Sequence, residues 1–118
     1  MLHIENARVT GQSVVSIEGL RSTGTFFVKL LMQSQQMALL EVRVASGVAS
    51  ALHMHSHESL IYVVSGKLRT TIGEEVYVLG PGDACRHPCG ASHLVEALQD
   101  TVFVEVKSPP PELQQVFG

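Results

Sequence analysis

The chain has 118 residues, 45% of them hydrophobic and 16% charged, with a formal net charge of −3. That length suits one domain spanning residues 1–118, with a real core and no room for a second. The charge offers no basic footprint for nucleic acid or an anionic membrane, and no apolar run approaches the ~20 residues that cross a bilayer.

Met1-Leu2-His3-Ile4-Glu5 lacks the basic and apolar stretches of a signal peptide, so a cytoplasmic location is expected. Beyond it, short strands alternate with turn signals. Residues 25–31 and 37–45 are rich in β-branched, aromatic and aliphatic side chains, with Ser34-Gln35-Gln36 as the connection. Ser46-Gly47 ends the second of these. Residues 60–64 form a continuous apolar run stopped by Ser65-Gly66. Residues 68–72 and 76–79 flank Gly73-Glu74-Glu75, which predicts a tight hairpin, and Gly80-Pro81-Gly82-Asp83 is a firm break. Strands follow near 84–87, 93–98 and 101–107. Pro109-Pro110-Pro111 cannot continue a ladder, because proline has no amide hydrogen to donate. Residues 112–117 then form one helical turn or stay extended. Strands this short and this regularly punctuated predict an all-β sandwich or barrel.

Histidines carry the chemical signal. His53, His55 and His57 stand at alternate positions, and His93 follows downstream in Pro88-Cys89-Gly90-Ala91-Ser92-His93. In a strand, residues two apart share a face, so a His-x-His pair sets two imidazoles on one wall. Neutral imidazoles at ~2.0–2.2 Å hold Zn, Ni, Fe, Mn or Cu and leave positions open for water or substrate. Each ligand ring needs its other nitrogen fixed by an acceptor, which the sequence does not identify.

Residues 47–66 and 82–97 resemble the two signature elements of the cupin superfamily. The first element reads Gly47, His53-Met54-His55 and Gly66; the second reads Gly82, Pro88-Cys89-Gly90 and His93, with Ala97 where the family has Asn. The resemblance implies a single-domain jelly-roll β-barrel of six to eight strands that pairs as a homodimer. It also implies a divalent transition metal held by His53, His55 and His93. The family's ligand glutamate would stand at Ser59, and serine is a poor ligand. Three arrangements stay open: the three histidines alone, as in the family's thiol dioxygenase branch; Glu58 swinging in through irregular backbone; or a metal-free site. Without the carboxylate the site is more positive by one charge, which favours an anionic ligand.

Further residues have two readings each. His57 is either a solvated turn residue or an auxiliary base or substitute ligand. His87 is a satisfied core histidine or pocket wall, since a buried polar group needs a partner. Tyr62 either closes the pocket or joins the core. The pairs Glu41/Arg43 and Glu105/Lys107 alternate along strands and read first as exposed charge pairs of little energetic weight. Alternatively they line the barrel, where Arg43 would grip an anion. Cys85 is a small buried residue, and Cys89 is a small residue in a tight turn or, four residues before His93, one that reaches the mouth of the site. A metal-dependent dioxygenase, a lyase or isomerase, and a non-catalytic small-ligand binder all remain compatible with these residues, because this fold hosts many chemistries.

Overall fold

The computed structural model describes residues 1–17, 19–54 and 56–112. A 3-10 turn, Asn6–Arg8, precedes nine strands among these residues: β1 (Gln12–Ile17), β2 (Leu20–Gln33), β3 (Ala38–Val44), β4 (Glu58–Ser65), β5 (Leu68–Ile72), β6 (Glu75–Leu79), β7 (Ala84–His87), β8 (His93–Ala97) and β9 (Thr101–Ser108). Six pair in the order β1-β2-β3-β9-β4-β7 and three in the order β6-β5-β8, every pairing antiparallel. The result is the expected all-β jelly roll, with one strand more than the upper expectation. β1 and residues 20–24 of β2 are the additions, in a stretch whose Ser, Thr, Arg and Gly hide its strand character. The possible helical turn at 112–117 lies, from 113 onward, outside the described residues.

Alternation builds the core. Ala38, Leu40, Val42 and Val44 of β3 are buried, as are Ser59, Ile61 and Val63 of β4, while their neighbours face outward. Phe103 of β9 lies between Val42 and Val63 in the ladder, and all three side chains belong to one apolar cluster with Phe26 and Val28. The Ser34 turn forms as the sequence predicts: Ser34 N–H donates to the Met37 carbonyl at 2.8 Å, and its Oγ accepts from Gln36 and Met37.

Residues 47–53 run beside β8 without forming a regular strand. Two isolated bridges, Ala49 to Glu96 and His53 to His93, mark the pairing. Between them the Val95 amide donates to Ser50 Oγ at 3.0 Å, a side chain standing in for backbone. Ala49 also accepts from Thr23 N–H and donates to Thr23 Oγ1, which ties the small sheet to β2.

The β4–β5 turn depends on Gly66, whose φ is +90° and whose missing Cβ would lie 2.2 Å from the Asp100 carbonyl oxygen. Gly66→Ala is therefore expected to cost at least about 2 kcal/mol, strain and backbone clash together. Gly47 has a similar φ of +88° but open space around it, so Gly47→Ala should cost only about 1 kcal/mol. Urea unfolding of both variants checks this; equal losses would show that the clash contributes nothing.

Candidate metal and ligand site

His53 and His93 meet because their backbones exchange both hydrogen bonds: His53 N–H to His93 O at 3.0 Å and His93 N–H to His53 O at 2.8 Å. A directly opposed pair of this kind sends both side chains to the same face. The imidazole centroids are 4.2 Å apart in a T-shaped arrangement. Each ring is fixed by the carbonyl two residues before it, in Ala51-Leu52-His53 and Ala91-Ser92-His93. His53 Nδ1 lies 2.7 Å from Ala51 O, and His93 Nδ1 lies 3.4 Å from Ala91 O, a longer contact. A carbonyl only accepts, so Nδ1 carries the proton in each neutral ring and Nε2 keeps the lone pair. These carbonyls are the acceptors that metal-ligating histidines require. Two of the three expected ligands thus stand side by side; His55, the third, lies outside the described residues. Among the described residues alone, no group of three His, Cys, Asp or Glu side chains is set to hold a metal.

His87 joins the cluster from β7. Its ring stacks on His93, with centroids 4.1 Å apart and planes at 17°. Thr70 on β5 sets its tautomer. The Thr70 hydroxyl lies 3.1 Å from the Leu94 carbonyl and 2.8 Å from His87 Nε2. With one proton to give, Thr70 donates to the carbonyl and accepts from His87 Nε2–H. His87 is thus a hydrogen-bonded core histidine and pocket wall at once.

The pocket lies in the barrel between these rings and the apolar core. Phe26, Val28, Leu40, Val42, Ile61 and Phe103 supply apolar wall; Ser50, His53, His87, His93, Glu105 and Lys107 supply polar groups. Its volume is about 50 Å³, room for a few waters or one small polar group.

The other candidates divide by face. Ser59 points inward and is fully buried, with Lys107 of β9 and His87 of β7 as its cross-strand neighbours. Glu58 does not swing in. β4 is regular from its first residue, so Glu58 faces out, where its carboxylate accepts from Arg86 Nη1 at 3.2 Å. Tyr62 shares that outer parity and is 52% exposed, which removes it from both pocket and core. His57 is 6% exposed, a buried residue and not a solvated one. Glu41 and Arg43 form an outer-face pair at 3.5 Å, with Asn6 Nδ2 donating to Glu41 as well. Glu105 and Lys107 prove the opposite case, since both line the pocket. Sequence reasoning favoured exposure for them, because alternation tells which residues share a face and never which face is inside.

Cys85 packs against the core, where burial and then the Glu105 carboxylate push its thiol up to about 11. It stays protonated at neutral pH and is no thiolate nucleophile there. Cys89 is exposed.

A cupin domain model matches residues 40–106. No curated protein matches the chain. Among solved structures, KdgF from a Halomonas species is similar at 23% identity and TM-score 0.80, over 95% of this chain and 96% of its own. A predicted oxalate decarboxylase from Thermotoga maritima is similar at 17% identity and TM-score 0.80, over 91% and 98%. The polyketide cyclase RemF from Streptomyces resistomycificus is similar at 21% identity and TM-score 0.77, over 92% and 79%.

Proposed function

Since the chain belongs to the cupin family, we propose that it is a metal-binding cupin acting on a small organic molecule, with His53, His55 and His93 as the metal ligands. The observation that carries this is the pair His53 and His93, whose backbones bond one another and whose Nδ1 atoms each lie against the carbonyl two residues earlier, which suits the tautomer with the proton on Nδ1. Neutral imidazoles poised in that tautomer suit a divalent transition metal: Fe, Zn, Ni or Mn. Ser59 contributes no carboxylate and Glu58 faces away, which favours the three-histidine set over a set completed by glutamate. When bound, the metal supplies Lewis-acid polarisation of a substrate oxygen, or activation of water or dioxygen.

The chain's own residues do the rest. The apolar wall excludes bulk water, and the small volume limits what enters to one compact group. A dioxygenase fits the three-histidine set; a lyase or isomerase is the next reaction class. Two structural neighbours are described as enzymes, a predicted oxalate decarboxylase and a polyketide cyclase, so catalysis lies within the family's range. The second reading, a binder without turnover, is favoured by the scarcity of carboxylates: Glu105 is the pocket's one carboxylate among the described lining residues.

The same reading includes a homodimer and a cytoplasmic location. Leu60, Tyr62 and Val64 on the outer face of β4 are each about half exposed, an apolar stripe suited to a second copy. Both cysteines are free, as in a reducing compartment, and no helix among the described residues is long and apolar enough to cross a membrane.

Elemental analysis of untagged protein, purified without chelator or added metal, tests the proposal. About one equivalent of a transition metal is expected. Less than about a tenth of an equivalent of every metal, persisting after reconstitution, would exclude metal-dependent action and leave the binder.

A further inference from the structure

The stack of His87 on His93 crosses from one sheet to the other. His93 stands on β8 of the three-stranded sheet, and His87 comes from β7, an edge strand of the six-stranded sheet. Among the described residues β7 pairs with β4 alone, and a groove lined by Tyr77 and Leu79 of β6 runs beside it. No backbone ladder therefore fixes His87 over His93. Side chains must do so, and a stacked ring by itself has no directional bond to stop it turning.

Thr70 supplies that bond. It is 0% exposed on the inner face of β5, two residues from Ile72, which pairs directly with His93. Its hydroxyl lies 3.1 Å from the carbonyl of Leu94, the residue after His93, and 2.8 Å from His87 Nε2. One hydroxyl thus joins the strand that carries the ligand to the ring stacked upon it. The hydroxyl proton goes to the carbonyl, so the oxygen accepts His87 Nε2–H. Cys85 Sγ stands 3.8 Å from the same nitrogen, but sulfur accepts weakly and the shorter oxygen contact governs. Turning the ring over would set Cε1 against the Thr70 oxygen and lose the bond. A nitrogen that holds its proton is also no metal ligand, so His87 stays a support.

The His93 ring depends on such support more than its neighbour does. Ala51 holds His53 Nδ1 at 2.7 Å, whereas the Ala91 carbonyl is 3.4 Å from His93 Nδ1. More of the His93 orientation therefore falls to the stack.

We propose that Thr70 is a positioning residue for His93. It locks the plane and tautomer of His87, and the locked ring holds the His93 imidazole in its ligating orientation. This rests on the proposed function in taking His93 as a metal ligand. The positioning itself does not require the ion, because every group in it belongs to the chain.

Two measurements on the full chain test it. Long-range proton–nitrogen NMR of the histidine rings, on metal-stripped protein at slightly alkaline pH, reads the tautomers. Competition against a zinc chelator reads metal affinity. In wild type, His87 is expected to carry its proton on Nε2. Thr70→Val keeps the shape and removes the hydroxyl. It should mix the His87 tautomers, shift the His93 ring signals and weaken zinc about tenfold, as loss of an outer partner does. Thr70→Ser keeps the hydroxyl and should hold zinc within about twofold of wild type, with wild-type ring signals. In a His87→Ala background, Thr70→Val should weaken zinc by less than a further factor of about two, because its effect passes through that ring. A Thr70 that only packs would instead lose stability in both variants with the histidine signals unmoved. Thermal midpoints show that each variant is folded, and Thr70→Ala takes the place of Thr70→Val should the latter unfold.

A wild-type His87 with its proton on Nδ1 overturns the proposal. So do unaltered His93 ring signals in Thr70→Val, zinc affinity in that variant within about twofold of wild type, or a full further loss in the His87→Ala background. In a protein that takes up no metal, the ring signals decide. A His93 shift in Thr70→Val that Thr70→Ser restores would then sustain the positioning and sink the metal proposal alone. Metal uptake with unmoved rings would do the reverse.

Discussion

Replacing His93 with alanine is expected to weaken metal binding more than about 100-fold, because losing even an outer partner of a ligand costs ~10–100-fold and this removes the ligand itself. The fold should survive. What joins His93 to His53 is a pair of backbone hydrogen bonds that alanine retains. His87→Ala is the informative comparison. Its ring is stacked on His93 with centroids 4.1 Å apart and planes at 17°. Imidazole lone pairs lie in the ring plane, so two nearly parallel rings at that separation cannot both point at one ion ~2.1 Å away. His87→Ala should therefore keep its metal, with affinity reduced about tenfold through loss of the ring that supports His93. Competition against a zinc chelator measures both. If His93→Ala retains wild-type affinity, or His87→Ala loses as much as His93→Ala, the ligand assignment is wrong.

The second large effect is on stability. Phe103→Ala is expected to cost about 3–5 kcal/mol, a large share of the ~5–15 kcal/mol that holds a domain of this size together. Phe103 is almost fully buried, opposite Val42 on one side and Val63 on the other, and it also walls the pocket. Its removal leaves a cavity joined to one already present, in strands that pair on both sides and cannot close in. Thermal unfolding should show a midpoint lower by about 15 °C or more. Leu60→Ala, on the outer face of β4 and half exposed, should cost no more than about 1 kcal/mol. Equal losses at the two positions would mean that the inner apolar cluster is not what stabilises the barrel.

The ligand-bearing part of the site was legible in the sequence for a local reason. His53-Met54-His55 and the Pro88-Cys89-Gly90 turn before His93 are short-range patterns, and the glycines that bound them mark where strands must turn. Even the carbonyls that hold His53 and His93 are local, two residues back in each case. The repeated Ala-x-His was a signal available to sequence reading and not used. The strands with β-branched and aliphatic runs were legible too, β3 to β6, β8 and β9, and β7 was marked by the turns that bound it. β1 and the first turn's length of β2 were not, because their polar residues break the alternation that marks a half-buried strand.

By itself, then, the sequence determined that this is one all-β domain, that its histidines are spaced for a cupin site, and that the usual carboxylate is missing at Ser59. Only the tertiary structure decided which charged residues reach that site. Glu41/Arg43 and Glu105/Lys107 have the same spacing on strands of the same sheet, yet one pair lies on the outer face and the other in the pocket. Strand periodicity fixes relative parity within a strand. The absolute face of a polar residue comes from pairing between distant segments, here Ser59 with Lys107 and His87, and no local pattern contains that information.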